Sequence, residues 1–140
     1  MKGAIIALLP IALLGACATS SDVAKAPTSP EDQLIGCYAQ ESTARPTLRV
    51  FKDSGEYFLS FLKDAVPHGD LMQLKPVPEG VLSSKPELAG RVEALLAIDL
   101  GVIGVVKFRE GAVFEGQLLQ SDFYFLAPQV GGPLFKRECP

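Results

Sequence analysis

The sequence contains no tryptophan and only one histidine, His68, in 140 residues. Histidine is the side chain most often used for acid–base catalysis and metal ligation, so the sequence has few candidate residues for either kind of site. Basic residues are scarce as well, because 13 Lys and Arg against 16 Asp and Glu give a net charge of −3. Nucleic-acid-binding domains carry a basic footprint instead. We therefore predict no catalytic residue, no metal, no cofactor and no nucleic-acid partner.

The N-terminal apolar stretch is too short to cross a membrane. Residues 4–16 form an uncharged run of 13 residues, whereas a membrane-spanning helix needs about 20. A short start with one basic residue, Lys2, precedes this run, and small residues end it. This pattern is typical of a secretory signal peptide, here residues 1–16.

The end of this run, Leu14-Gly15-Ala16-Cys17, resembles the lipobox of bacterial lipoproteins. The resemblance implies that Cys17 carries a diacylglycerol, that cleavage occurs before it, and that its new amine is acylated. Several acyl chains hold a protein firmly on a membrane, whereas one holds it marginally. Ala18 stands where an inner-membrane retention signal would place Asp, which implies transfer to the outer membrane. The alternative is an ordinary signal peptide followed by a coincidental cysteine.

The segment after Cys17 is poor in apolar side chains. Residues 18–33 are rich in Ser, Thr, Pro, Ala and Asp, so they cannot bury enough surface to offset the entropy of ordering. We predict that residues 17–33 form a lipidated flexible tether, which spans at most about 50–58 Å when extended. Residues 34–140 then form a single domain.

Strand patterns dominate this domain. Eight segments alternate or are rich in β-branched and aromatic residues: 34–40, 47–52, 56–62, 70–77, 101–109, 112–119, 123–127 and 134–138. Asp53-Ser54-Gly55 separates two of them as a hairpin turn. The sequence predicts a mainly β fold, a small antiparallel barrel or sandwich of six to eight strands.

One segment has a helical pattern, residues 85–98. Ser84 and Glu87 have the spacing of a capping box. Leu88, Val92, Leu95 and Leu96 follow at i, i+4, i+7 and i+8, which is one apolar stripe at helical period. We predict a helix at about 85–98, packed on one end or one face of the sheet.

Two cysteines remain when Cys17 is lipidated, Cys37 and Cys139, near opposite ends of the domain. Export places them in an oxidising compartment. We predict a disulfide that ties the first strand to the last, as in a closed barrel. The alternatives are two separate buried thiols or a metal pair, although two sulfurs without nearby histidine make a poor zinc site.

Residues with catalytic chemistry have simpler explanations. His68 lies in a predicted solvated loop next to Asp70, and no serine has the nucleophile-elbow pattern. The acidic residues Asp99, Glu110, Glu115 and Asp122 fit solvated positions, with Glu110 at a turn and Glu115 in a strand. We do not predict an enzyme.

The aromatic residues lie mostly in predicted strands and are expected to form the core. An alternative is that some line a cavity, since eight-stranded barrels can hold one small ligand. Gly36-Cys37-Tyr38 is similar to the Gly-x-Trp motif of lipocalins, and Ser121-Asp122-Phe123 to their Thr-Asp-Tyr turn, with Arg137 near the end. The folded part is shorter than a usual lipocalin, and the predicted helix comes before the late strands. This resemblance does not transfer a ligand.

Three hypotheses on function follow. The first is an outer-membrane lipoprotein whose non-catalytic β domain, facing the periplasm, binds another envelope component, in the first place a protein. The second is a barrel that binds or carries an apolar ligand such as a lipid, which requires a cavity. The third is an inhibitor or immunity module that plugs an enzyme cleft through an exposed loop, residues 63–69 or 76–84.

Overall fold

The computed structural model describes residues 29–98 and 103–140. Eight antiparallel strands close into a barrel, and a two-stranded hairpin lies outside it. The mainly β fold with one short α-helix is therefore confirmed, and the barrel is the correct alternative. Within the described ranges, no helix is long and apolar enough to cross a membrane.

The elements follow one another with short connections. They are a 3-10 helix Pro30–Leu34, β1 Gly36–Ala39, β2 Leu48–Asp53, β3 Glu56–Lys63, β4 Val66–Pro76, α1 Glu79–Ser83, β5 Val92–Ile98, β6 Ile103–Phe108, β7 Val113–Phe114, β8 Gln117–Leu118, β9 Phe123–Leu126 and β10 Gly132–Arg137.

The barrel is a meander, in which each strand pairs with the next barrel strand along the chain. β7 and β8 pair only with each other, so β6 pairs with β9, and β10 returns to pair with β1. Alternation places one face of each strand inside. Val50 and Leu59, for example, are paired on β2 and β3 and are both buried in the barrel.

The predicted hairpin between β2 and β3 is confirmed. Ser54 and Gly55 both have positive φ, 51° and 82°. Two such residues make the tight turn whose twist matches that of the flanking strands. This turn fixes the register from Leu48 opposite Phe61 to Asp53 opposite Glu56.

The two ends of the barrel differ. The 3-10 helix packs against β5 and β6 and defines what we call the closed end. The β3–β4 turn at residues 64–65 and the β9–β10 connection at residues 127–131 lie at the opposite, open end. The chain enters the barrel at its closed end.

A second apolar cluster lies outside the barrel wall. The outward side chains of β5, β6 and β9 are covered by the connection that contains α1 and by the β7–β8 hairpin. The buried members are Leu88, Leu95, Ala97, Val106, Phe108 and Phe114. This cover explains why β5, β6 and β9 are apolar on both faces.

The predicted helix at 85–98 is wrong. Residues 92–98 form β5, and the α-helix lies earlier, at Glu79–Ser83. Leu95 faces the outer cluster, whereas Leu96 faces the barrel interior. Because both faces of this strand are buried, its two neighbouring leucines give the same sequence pattern as the apolar stripe of a helix. The capping box is absent too, since the Ser84 hydroxyl donates to the Val81 carbonyl.

Two further boundaries differ from the prediction. Residues 112–119 form the small β7–β8 hairpin instead of one returning barrel strand, and Glu115 occupies its turn with φ 51°. The predicted tether, residues 17–33, overlaps the 3-10 helix, so residues 30–33 belong to the folded domain. The predicted signal peptide, Cys17 and the rest of the predicted tether up to residue 28 lie outside the described residues, as do residues 99–102.

Candidate functional site

The barrel axis is filled by side chains. Tyr38, Leu59 and Leu96 are each fully buried in one cluster that extends from wall to wall. Other members of this cluster are Leu34, Leu48, Val50, Tyr57, Leu74, Ala94, Val105, Phe125 and Leu134. The aromatic residues Tyr38, Tyr57 and Phe125 thus belong to a packed core along most of the barrel.

The closed end is plugged by the 3-10 helix. Leu34 inserts into the barrel and is 0% exposed. Its backbone carbonyl accepts a hydrogen bond of 2.6 Å from the Tyr38 hydroxyl. Burial of this phenol raises the pKa of Tyr38, so the hydroxyl stays protonated and remains a donor.

Three lysines from different strands hold this helix. Lys52 on β2 donates to Asp32 at 3.2 Å, and Lys107 on β6 donates to the Gln33 side-chain oxygen at 2.6 Å. Lys136 on β10 donates to the Gln33 backbone carbonyl at 3.1 Å. The helix is thereby fastened around the circumference of the barrel.

The charged side chains that hold the 3-10 helix already have partners at this end of the barrel. The Tyr57 hydroxyl donates to Asp32 at 2.7 Å, and this bond, with Lys52, lowers the pKa of Asp32. Burial and the nearby Lys107 lower the pKa of Lys136. These contacts fix the helix in place, with Lys52 and Lys107 in ion pairs and Lys136 bound to a backbone carbonyl.

A groove runs beside the 3-10 helix. It has a volume of about 610 Å³ and is lined partly by Glu31, Glu79 and Glu93, with Lys107 and Arg109. Lys107 and Glu93 pair with each other at 2.9 Å. This groove is therefore polar and carries side chains of both charges.

The mouth of the barrel at the open end is lined mainly by apolar side chains. A cavity of about 270 Å³ lies at the mouth, and its lining includes Leu48, Phe61, Leu62, Phe125 and Leu134. The Phe61 and Phe125 rings meet edge to face at 6.3 Å. Pockets for drug-sized ligands are usually about 300–1,000 Å³. The mouth is therefore a shallow apolar depression above a packed core.

Exposed apolar side chains concentrate at this same end. Among the described residues, six large apolar side chains are markedly exposed: Phe61, Val66, Leu71, Val113, Leu118 and Val130. Phe61, Val66 and Val130 lie at the open end, and Leu71 lies on the outer face of β4, next to Met72, which pairs with Leu59. The other two lie on the β7–β8 hairpin. The open end and the β3–β4 hairpin form the candidate interaction surface.

The predicted disulfide partners are joined. Cys37 and Cys139 form a disulfide, with their Cα atoms 5.1 Å apart. Cys37 lies on β1, paired with β10 at Arg137, just before Cys139. Cys17, the predicted lipidation site, lies outside the described residues.

His68 was predicted in a loop, and this is wrong, since it lies on β4 opposite Phe61. It is exposed, as a solvated histidine is expected to be. Of the two predicted plugging loops, residues 63–69 are all exposed. In residues 76–84, Val77 and Leu82 instead pack on the outer cluster. Among residues 29–98 and 103–140, no three His, Cys, Asp or Glu side chains are placed to hold a metal ion.

No family model, curated protein or solved structure matches this chain. Two of the residues that resemble lipocalin motifs, Tyr38 and Phe123, meet in the barrel. The rings of Tyr38 and Phe123 lie 5.3 Å apart, and the Lys136 ammonium lies 5.4 Å from the centre of the Phe123 ring. Arg137 points elsewhere and donates to the Ser42 carbonyl at 2.7 Å. The resemblance to lipocalins therefore stays one of short motifs and transfers no ligand.

Sequence reasoning missed the three lysines and the exposed apolar hairpin. Lys52, Lys107 and Lys136 lie far apart in the chain, so only the closed topology brings them to one helix. The hairpin left a local signal, since Pro67, Gly69 and Asp70 interrupt the apolar pattern before Leu71. Such residues are depleted inside buried strands.

Proposed function

We propose that this chain is a lipoprotein anchored through Cys17 in the outer membrane. In this proposal its barrel lies in the periplasm and binds another envelope protein. The motif Leu14-Gly15-Ala16-Cys17 supports the anchor. The Cys37–Cys139 disulfide fits an exported domain, because disulfides persist in oxidising compartments.

The observation that carries the binding role is the combination of a packed core with an exposed apolar end. A carrier of apolar ligands needs an internal cavity, whereas this barrel is filled down to a shallow mouth. Clustered exposed apolar side chains are typical of protein interaction sites. The chain enters at the opposite end, so the tether leaves the open end free.

Anchoring is tested by replacing Cys17. We expect wild-type chain in the outer-membrane fraction and Cys17→Ser chain outside it, with Ser20→Ala as a control that leaves the motif intact. A Cys17→Ser chain that stays in the membrane to the same extent would refute the anchor.

Partner binding is tested by photo-crosslinking in intact cells. A photoreactive residue replaces Val130 at the open end or Leu118 on the β7–β8 hairpin, and both positions are 69% exposed. We expect a discrete protein adduct from position 130 and none from position 118. Equal labelling at both positions, or none at either, would contradict the proposal.

The carrier alternative has its own readout. Native mass spectrometry of the purified full chain should give the mass of the lipidated protein without a further adduct. A retained second lipid would move the function to ligand transport, with the mouth beside Phe61 and Phe125 as its entrance.

A further inference from the structure

The two cysteines of the disulfide differ in exposure. Cys37 on β1 is 0% exposed, whereas Cys139 is exposed. β10 ends at Arg137, so Cys139 lies beyond the last strand of the barrel. Thiol–disulfide exchange requires access to the sulfur atom that is attacked. An external reagent can therefore reach this bridge through Cys139 and not through Cys37.

The approach to Cys139 is open. Arg137 and Glu138, the two residues before it, line a groove of about 480 Å³ beside the β1–β2 connection. The described pairs between β1 and β10 end with Cys37 opposite Arg137. Cys139 can thus move away from Cys37 without the loss of a residue pair between these two strands.

Cys37 lies between two arginines. It is paired with Arg49 on β2 and with Arg137 on β10. Directly paired residues share one face of a sheet, with Cβ atoms about 4.5–5.5 Å apart. Tyr38, the next residue, belongs to the barrel core, so Cys37 and both arginines are on the outer face. Neighbouring arginines favour the thiolate form of a cysteine, which is the form that attacks a disulfide.

The charges of these two arginines are not neutralised nearby. The Arg49 guanidinium lies 5.1 Å from the centre of the Phe51 ring, and Arg137 donates to the Ser42 carbonyl. In the part of the chain that the structure describes, neither arginine forms a salt bridge. Both charges therefore remain available to stabilise a thiolate at Cys37.

The bridge can form before or after the barrel closes. Before closure, both cysteines are accessible and neither arginine is held beside Cys37. After closure, an oxidant can meet Cys139 alone, and the two Cα atoms are already 5.1 Å apart. Exposure, proximity and the two arginines thus all favour formation in the closed barrel.

We propose that Cys139 is the exchange site of this disulfide and that Cys37 resolves it after the barrel has closed. The Cys139 thiolate attacks the disulfide of a dithiol–disulfide oxidant and forms a mixed disulfide, which releases one thiolate of the oxidant. The Cys37 thiolate, stabilised by Arg49 and Arg137, then attacks the Cys139 Sγ atom and expels the oxidant's second thiolate. The cysteines lose two protons and two electrons, and the oxidant becomes a dithiol. This inference depends on neither the membrane anchor nor a partner at the open end.

The first test uses the full chain with its bridge intact. Sulfite cleaves a disulfide by adding to the attacked sulfur atom, and it releases the other sulfur as a thiol. Peptide mass spectrometry then shows which cysteine carries the sulfonate. In the folded chain we expect Cys139 to be labelled about tenfold more than Cys37, or better. In urea, where both sulfur atoms are accessible, the two should be labelled to similar extents.

Other results of this test overturn the proposal. Equal labelling in the folded chain, or more label on Cys37, would show that Cys139 is not the exchange site. A preference that persists in urea would reflect the local sequence and not the barrel. A bridge that reacts only in urea would show that Cys139 is inaccessible.

The second test times the resolving step in the reduced full chain. Oxidised glutathione is added, and conversion of the Cys139 mixed disulfide into the bridge is followed by peptide mass spectrometry. Arg49→Met should slow this conversion about threefold or more, whereas Arg49→Lys, which keeps the charge, should not. Arg109→Met, which follows β6, is the control and should leave the rate unchanged.

This test also has outcomes that contradict the proposal. An unchanged rate in Arg49→Met would remove the role of the charge, and an equally slow Arg49→Lys would indicate a structural role instead. Far-UV circular dichroism of the reduced wild-type chain should show the barrel. Its absence would overturn the proposed order, because the bridge would then form before closure.

Discussion

Replacement of Leu34 by alanine tests whether the 3-10 helix is a structural plug. Leu34 is fully buried at the closed end. The change removes three carbon groups, worth about 2.4 kcal/mol at about 0.8 kcal/mol for each, and leaves a cavity. Leu→Ala substitutions in packed cores cost about 2.7–5.0 kcal/mol in total. We expect a loss of about 3–4 kcal/mol in the free energy of unfolding.

Urea denaturation followed by far-UV circular dichroism measures this loss, since the chain has no tryptophan to report by fluorescence. The midpoint should fall while the denaturant slope stays constant. In thermal unfolding, Tm should fall by about 12–16 °C, at about 4 °C per kcal/mol for a domain of this size. Leu118→Ala is the control, because Leu118 is 69% exposed. A Leu34→Ala loss no larger than that of Leu118→Ala would refute the plug.

Three further predictions concern stability. Removing the disulfide with Cys37→Ser and Cys139→Ser should lower the free energy of unfolding by up to about 4.7 kcal/mol, because the bridge spans 102 residues and the chain-entropy relation applies. A loss below about 1 kcal/mol in urea denaturation would contradict this. The Tyr57 hydrogen bond lowers the pKa of Asp32 from its ordinary 3.8. The stability that ionised Asp32 gives the folded state is therefore present above pH 3.8 and is lost as the pH falls through the folded-state pKa. Asp32→Asn should therefore destabilise the protein at about pH 6 and much less at about pH 2, and an equal effect at both would be inconsistent with the shift. Gly104→Ala would place a Cβ 2.9 Å from the Ala97 Cβ. This close contact should lower the free energy of unfolding by about 1–3 kcal/mol. An unchanged Tm would show that β5 and β6 can move apart to make room.

The fold class was predictable because strand signals are local. The turn at Ser54-Gly55 and the alternation around Val50 place β2 and β3 correctly. The helix at 85–98 was misassigned because Leu95 and Leu96 are buried on opposite faces of β5. Only knowledge of the cover outside the barrel separates a doubly buried strand from a helix segment.

The candidate site was predictable only in part. Residues 63–69 are predicted as a candidate exposed loop, but not as the tip of a paired hairpin. The exposure of Leu71 on the outer face depends on the register shift near Gly69. The end of the tether was misplaced because Pro30–Leu34 is polar except for Leu34, and its partners Lys107 and Lys136 lie in distant strands.

The disulfide lies at the seam where the meander closes on itself, since β1 pairs there with β10. A pull transmitted along the chain from before Ser29 reaches the 3-10 helix first and β1 next. Peeling of β1 stops at Cys37, where the load passes through the bridge to Cys139 at the far end of the chain. A pull on the chain from this side would therefore turn the barrel as a unit instead of unravelling it strand by strand.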